Sequence, residues 1–263
     1  MIKRFFNDIK KYKDYMTCSV KYQLKEEFVN SYLGVIWLVL EPLCFMLIYL
    51  FIAEFIFNTT IEYFEIFIFL GISVWNFFSK VITSSVKAVS SNKDIITKIY
   101  IPKFILILII MGKNFIKMMV SFLLVFIFMI IYQVPFSINI LFMIPIIICL
   151  LLFTFAISLI LLHFGVFFED LVKIINIVLK ILFYATGIFY DLLLQIGNNI
   201  YSFILINFNP LANIIINLRN CILYNESISW ATLSIWFGLG LIITYFGLKM
   251  IYSGENTYVK VIK

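Results

Sequence analysis

Lys113 and Lys117 stand four residues apart inside a long apolar run, so on a helix they share one face. Two ammonium groups presented together suit a phosphate in a passage. The same pair could instead snorkel from a helix that begins below a membrane surface, and the spacing does not choose. Glu41, followed by Pro42, is an acidic residue inside an earlier apolar run. A carboxylate at mid-helix costs about 2.5–3.5 kcal/mol to insert, which directs it toward protein or water. Glu169 and Asp170 are adjacent, point in different directions on a helix and make a poor acid/base dyad. His163, the single histidine, reads as an interfacial or helix–helix hydrogen-bonding residue rather than a catalytic group. No His/Asp/Glu cluster offers metal ligands, and Cys18, Cys44, Cys149 and Cys221 are scattered without CxxC spacing. The phosphate-cradling pattern GxxxxGK[ST] occurs nowhere. Nucleotide chemistry, if it energises this protein, is expected on a partner chain, with no cofactor bound here.

The elements that must position these residues are membrane helices. The chain has 263 residues, of which 63% are hydrophobic and 13% charged. Its mean hydropathy is +1.08. Several apolar runs approach the ~20 residues that cross a ~30 Å hydrocarbon core, and they are continuous rather than alternating. The fold class is therefore an all-α polytopic membrane protein. Six spans are predicted at 33–57, 64–84, 104–132, 137–166, 171–190 and 230–252, after an N-terminal segment 1–32; residues 33–263 form the transmembrane domain. The first long apolar run starts behind many charges, so the N-terminus does not read as a signal peptide.

Charge placement orients the spans. Seven Lys/Arg precede the first span, and Lys87, Lys93, Lys98 and Lys103 fill the 85–103 loop. Lys260 and Lys263 end the chain, whereas the connection after the first span carries Glu62 and Glu65 and no basic residue. The positive-inside rule then makes both termini cytoplasmic. The net charge of +6 sits beside spans, which points to topology control and anionic lipid rather than nucleic acid.

Ile2, Phe5, Phe6 and Ile9 fall on one helical face with Lys3, Arg4, Lys10, Lys11 and Lys13 around it, the pattern of an amphipathic interfacial helix. A solvated basic tail is the plainer alternative. The segment 191–229 holds a short apolar stretch, the break Asn209-Pro210 and many asparagines. Pro210 disfavours helix at the residue before it, so a broken re-entrant helical pair on the outer side is expected. Trp75, Tyr190, Trp230 and Trp236 suit either an interfacial aromatic belt or an aromatic-lined conduit for sugars.

Several ordered stretches resemble the permease subunits of ABC-type polysaccharide exporters, which move O-antigen, capsule or teichoic-acid chains. They are Ser31-Tyr32-Leu33-Gly34-Val35-Ile36-Trp37 with Glu41-Pro42-Leu43, then Trp75-Asn76-Phe77-Phe78. Next come Ser91-Asn92 through Lys98-Ile99-Tyr100-Ile101-Pro102-Lys103, Phe167-Phe168-Glu169-Asp170, and Asn209-Pro210-Leu211 with Arg219. Three positions depart from the family pattern: Glu27-Phe28-Val29 replaces a basic–aromatic–basic run, Val74 a proline, and Glu169 a basic residue. The first departure puts a lipid-pyrophosphate role for that run in doubt.

The resemblance implies a homodimer with a conduit between two copies and a cytoplasmic ABC ATPase, also in two copies, that binds the ATP and Mg. It implies docking on the 91–103 loop through Ile95, Ile96, Ile99 and Tyr100, with Lys93, Asp94 and Lys98 at the rim and Asn92 and Pro102 flanking. Conduit candidates are Glu41, Trp75, Phe77, Phe78, Lys113, Lys117, Tyr184 and Tyr190. Gate candidates are Phe5, Phe6 and Ile9 at the inner mouth, with Asn209 and Pro210 at the outer end. The implied substrate is a polyprenyl-pyrophosphate-linked glycan at the bacterial inner (plasma) membrane. A permease for a small molecule such as a drug or haem, and a membrane enzyme or scramblase working alone, are the rival readings.

Overall fold

The computed structural model describes residues 1–29, 32–52, 61–192 and 200–262. Ser31, the predicted first span beyond Ile52, Asn198, Asn199 and Lys263 lie outside the described residues. Among the described residues the chain is helical and holds no strand. Among the described residues five helical stretches are long and apolar enough to cross a membrane: Gly34–Ile52, Phe64–Val86, Lys103–Ile131, Ile138–Phe167 and Trp230–Glu255.

The N-terminal segment forms α1 (Ile2–Lys11) and α2 (Lys13–Val29), parted at Tyr12. α1 carries the predicted apolar face, but its four residues divide. Phe5 packs 4.9 Å from Phe104 and Ile9 also meets the core, whereas Ile2 and Phe6 stay exposed. α2 has no apolar stripe, so periodicity did not separate it as an element. It lies along the first half of α6 (Lys103–Ile131). Gly112 of α6 admits the close approach, since a Cβ there would lie 3.1 Å from the Val20 side chain.

α3 (Trp37–Ile52) contains Pro42 and leaves most of its surface uncovered. α4 (Phe64–Val86) is the opposite: Ile66–Trp75 are all buried, and it packs on α3, α6, α7 (Met143–Phe167) and α8 (Leu171–Ala185). A helix buried on every side through Ile66–Trp75 belongs at the centre of a bundle. Between α4 and α6 the chain makes a 3-10 turn (Ser90–Asn92) and the four-residue helix α5 (Lys93–Ile96). Gln133, at φ 54, turns the chain out of α6, and the Val134 N–H returns to the Met129 carbonyl at 2.9 Å.

The predicted span 171–190 is interrupted. α8 stops at Ala185 after 15 residues, about 22 Å at 1.5 Å per residue. Thr186 turns its hydroxyl back to the Leu182 carbonyl, and Gly187 takes the left-handed φ of 67 that ends the helix. Two short helices follow, α9 (Ile200–Phe208) and α10 (Pro210–Ile222), broken at Asn209. α11 (Trp230–Ile262) closes the fold and runs ten residues past the predicted end at 252. It packs closely on α7, where Gly240 faces Leu152 and Gly247 faces Leu159.

The contacts sort the fold into two ends. Arg4 bonds Glu255, Tyr12 bonds the Tyr100 carbonyl, and Gly165 abuts Val86. The N-terminus, the 87–102 loop, the α7–α8 turn and the end of α11 therefore share one end. At the other, Asn139 bonds Asn225.

Candidate functional site

Three helices carry polar residues at helical spacing on otherwise apolar surfaces. Asn76, Lys80 and Thr83 recur along α4, Asn114, Lys117 and Ser121 along α6, and Asn176 and Lys180 along α8. All of them but Asn76 and Ser121 line one cavity of about 580 Å³, together with Glu27, Ser79, Ser84, Lys113 and Leu179. A narrow cleft beside it is lined by Glu41, Pro42, Ser73, Asn76, Phe77 and Ser121. Beyond lies an aromatic cleft of about 490 Å³, walled by Phe45, Ile72, Trp75, Asn76, Lys180, Phe183 and Tyr184. Lys80, Asn114 and Lys117 border the first two, and Lys180 borders both the first and the third. A basic chamber and an aromatic cleft thus lie on either side of Lys180.

Two carboxylates partly balance the lysines. Glu41 meets Lys80 at 2.7 Å, joining α3 to α4. Glu27, on the last turn of α2, reaches Lys113 at 3.2 Å through one oxygen and Lys117 at 2.5 Å through the other. Burial opposes ionisation of Glu27, but the Lys117 hydrogen bond and the two lysine charges outweigh it and hold its pKa below the ordinary carboxylate value. The Lys113/Lys117 pair therefore does not stand free; it grips α2. Lys180 has no ion-pair partner among the described residues.

In the aromatic cleft Trp75 packs 5.2 Å from Phe183 and 6.3 Å from Phe78. Phe77 and Phe78 are buried, while Tyr184 is 67% exposed. Tyr190 donates to the Tyr184 carbonyl at 2.5 Å. An exposed ring beside a buried tryptophan offers flat apolar faces with a lysine and an asparagine at their edge, a surface on which a sugar ring can stack.

The loop end holds the remaining candidates. Ile95, Ile99 and Tyr100 are exposed, with Lys93, Asp94 and Lys98 exposed around them. Ile96 and Pro102 turn inward, so they anchor the loop and do not face solvent. Asn92 is half-buried and donates to the Ala88 carbonyl at 2.8 Å. Tyr100 donates to Glu255 at 2.8 Å and receives Arg4 at 2.8 Å. Burial first, then the Glu255 hydrogen bond and charge, push its phenol up to about 12. His163 pairs with Tyr258 at 2.6 Å and ties α7 to α11, the structural part expected of it.

At the far end Asn209 caps α10, its Oδ1 accepting from Leu211 and Ala212 while its amide donates to Ala185 and Thr186. Pro210 occupies the first helical turn, where its missing N–H costs nothing. Asn213 bonds Thr232, and Asn217 accepts from Ser229, so these asparagines are buried and satisfied. Buried Arg219 donates to the carbonyls of Phe67, Gly187 and Ile188 and lies 3.3 Å over the Phe67 ring. It fastens this end to the start of α4.

Sequence reasoning singled out Glu41, Trp75, Phe77, Lys113, Lys117 and Tyr184, which the fold brings to this one tract. It missed Lys80, Asn76, Asn114, Lys180 and Phe183, although the polar stripes of α4, α6 and α8 were there to be counted.

Two O-antigen export system permease proteins RfbA from Klebsiella pneumoniae are each 29% identical over 230 residues, covering 86% of both chains. A third, from Myxococcus xanthus, is 29% identical over 191 residues, 72% of this chain and 73% of its own. The chain is a relative of the O-antigen export permeases. No protein-family model matches it. The aligned part of the longer matches is long enough to include most of the spans, so the resemblance carried by short motifs extends to the body of the permease.

Proposed function

We propose that this chain is the membrane-spanning subunit of an ATP-driven exporter that moves a lipid-linked polysaccharide from the cytoplasmic to the outer side of the inner (plasma) membrane. The observation that carries the reading is the lysine-lined chamber sharing Lys180 with an aromatic cleft, in a chain related over most of its length to O-antigen export permeases. Phosphate charge fits the first space and sugar faces fit the second, while the lipid tail stays in the bilayer. In this reading α8 and the turn after it complete a sixth crossing, α9 and α10 form a re-entrant pair at the outer end, and both termini are cytoplasmic. Two copies enclose the conduit. Two ATPase subunits dock on the loop through Ile95, Ile99 and Tyr100, and nucleotide binding shifts the dimer between closed and open arrangements by differential contacts there. α1 gates the inner mouth.

The test is deletion of the gene in its native host with complementation by the full chain. Surface polysaccharide should vanish on deletion while lipid-linked glycan accumulates at the inner face, and an ATPase should co-purify with the complementing protein. Unchanged surface polysaccharide, or substrate movement by the purified chain with no ATPase present, overturns the reading. An exporter for a small molecule is the second reading, since cavities of about 490 and 580 Å³ also suit such a ligand. Altered drug or haem sensitivity with intact surface glycan would favour it.

A further inference from the structure

Glu27 fills its position as a bound anion would. Its two carboxylate oxygens each take one lysine from successive turns of α6, at 3.2 and 2.5 Å. The carboxylate lies on the wall of a cavity of about 580 Å³, far more room than it needs. The charge is also incomplete. Lys80 is satisfied by Glu41 at 2.7 Å, but Lys180 on the same wall has no ion-pair partner among the described residues. Four lysines thus surround the space against two glutamates, an excess that a multiply charged anion would neutralise. Lysine is a point-charge binder of phosphate, with three rotatable donors and no demand for a planar partner. Glu27 sits on the last turn of α2, so exchanging it for another anion requires movement of only one helix end.

We propose that this chamber is a phosphate site whose resting occupant is the chain's own Glu27, and that a diphosphate ester entering it displaces Glu27 and detaches the end of α2 from α6. The exchange leaves neither lysine unpaired at any stage, which avoids the cost of an uncompensated half-buried charge. The proposal deepens the exporter reading and rests on it for the choice of a diphosphate. It makes α2 a latch that the substrate's charged group opens.

The test uses the full-length chain in phosphatidylcholine nanodiscs, titrated by calorimetry with farnesyl diphosphate and, separately, inorganic pyrophosphate. Removing the internal competitor by Glu27→Gln should tighten farnesyl diphosphate roughly tenfold, the worth of about one ion pair, while Lys117→Gln should weaken it by at least the same factor. Opposite signs are the signature, because breaking a merely structural pair from either side would act in the same direction. Hydrogen exchange should also show residues 21–29 losing protection when wild type binds ligand. Should Lys117→Gln fail to fold, Lys180→Gln carries the same prediction of weaker binding without touching the Glu27 pair.

Equal pyrophosphate affinity with the same mutational pattern locates recognition in the free anion. Tighter farnesyl diphosphate locates it in a lipid-borne headgroup, and both support the site. Unchanged or weaker binding in Glu27→Gln, undisturbed protection of 21–29, or displacement by phosphatidylglycerol in the disc overturns it. These readouts involve no transport, so their failure leaves the deletion test standing, and failure of that test leaves them interpretable.

Discussion

Tyr100 donates a hydrogen bond of 2.8 Å to Glu255, tying the loop between α4 and α6 to the end of α11. Arg4 of α1 joins both partners, at 2.8 Å to the phenol and 2.9 Å to the carboxylate. Three segments distant in sequence therefore meet at one carboxylate oxygen. In a cycle of Tyr100→Phe and Arg4→Gln, thermal unfolding should show a coupling of about 0.5–1 kcal/mol, the low end for contacting residues because Arg4 is half exposed. The phenol adds a pH signature. Its folded pKa of about 12 lies above the unfolded value, so its contribution is complete below about pH 10 and fades as pH rises toward 12. The Tyr100→Phe protein should lack that component of the alkaline decline.

Gly165 sets the distance between α7 and the end of α4. A Cβ there would lie 2.1 Å from the Val86 carbonyl oxygen, which is backbone and cannot swing aside. Gly165→Ala should therefore cost about 1–3 kcal/mol and displace the loop that follows Val86. Gly238, mid-helix in α11 with nothing within 4 Å, is the control. Gly238→Ala should be neutral or stabilise by about 0.4–1 kcal/mol, because it restricts the unfolded chain. Melting midpoints of the two variants in one detergent decide the comparison.

The Glu27 bridge should respond to acid. Its carboxyl is held below the ordinary range despite burial, so its stabilisation is present above about pH 4.3 and is lost as pH falls through the depressed folded value. Wild type should melt above Glu27→Gln at pH 7, and the gap should close in progressively acid buffer. A constant gap would mean the carboxylate is not what holds α2.

Asn209 is asked to satisfy two orphan donors of α10 and to reach back to α8. Asn209→Ala should cost about 1 kcal/mol or more for the cap alone. Asn209→Asp keeps the acceptor and loses both donations, so it should fall between Ala and wild type in thermal unfolding.

Much of this architecture was written in local pattern. α4 runs over 64–86 against a predicted 64–84, and Asn209-Pro210 breaks the chain as proline chemistry requires. The face of α1 was legible because an amphipathic helix shows its period. α2 was not, since its apolar residues follow no stripe and its position depends on Gly112 and on an ion pair made across 86 residues. The early end of α8 turned on Gly187, a left-handed position that hydropathy does not register. At the site, Trp75 and Lys117 stood out as isolated anomalies in apolar runs. Lys80 did not, because it lies near the end of a span, where a lysine reads as an ordinary interfacial residue, and Lys180, in the middle of the predicted span 171–190, was passed over.

The most direct test of the account places a photo-crosslinking benzoylphenylalanine at Tyr184, whose ring is exposed at the aromatic cleft, in cells making the surface glycan. Ile235, exposed on α11 and outside the cavities described here, serves as the control position. The account predicts a glycan-bearing adduct at 184 that disappears when glycan synthesis is blocked, and none at 235. No adduct at 184, or equal adducts at both positions, contradicts it.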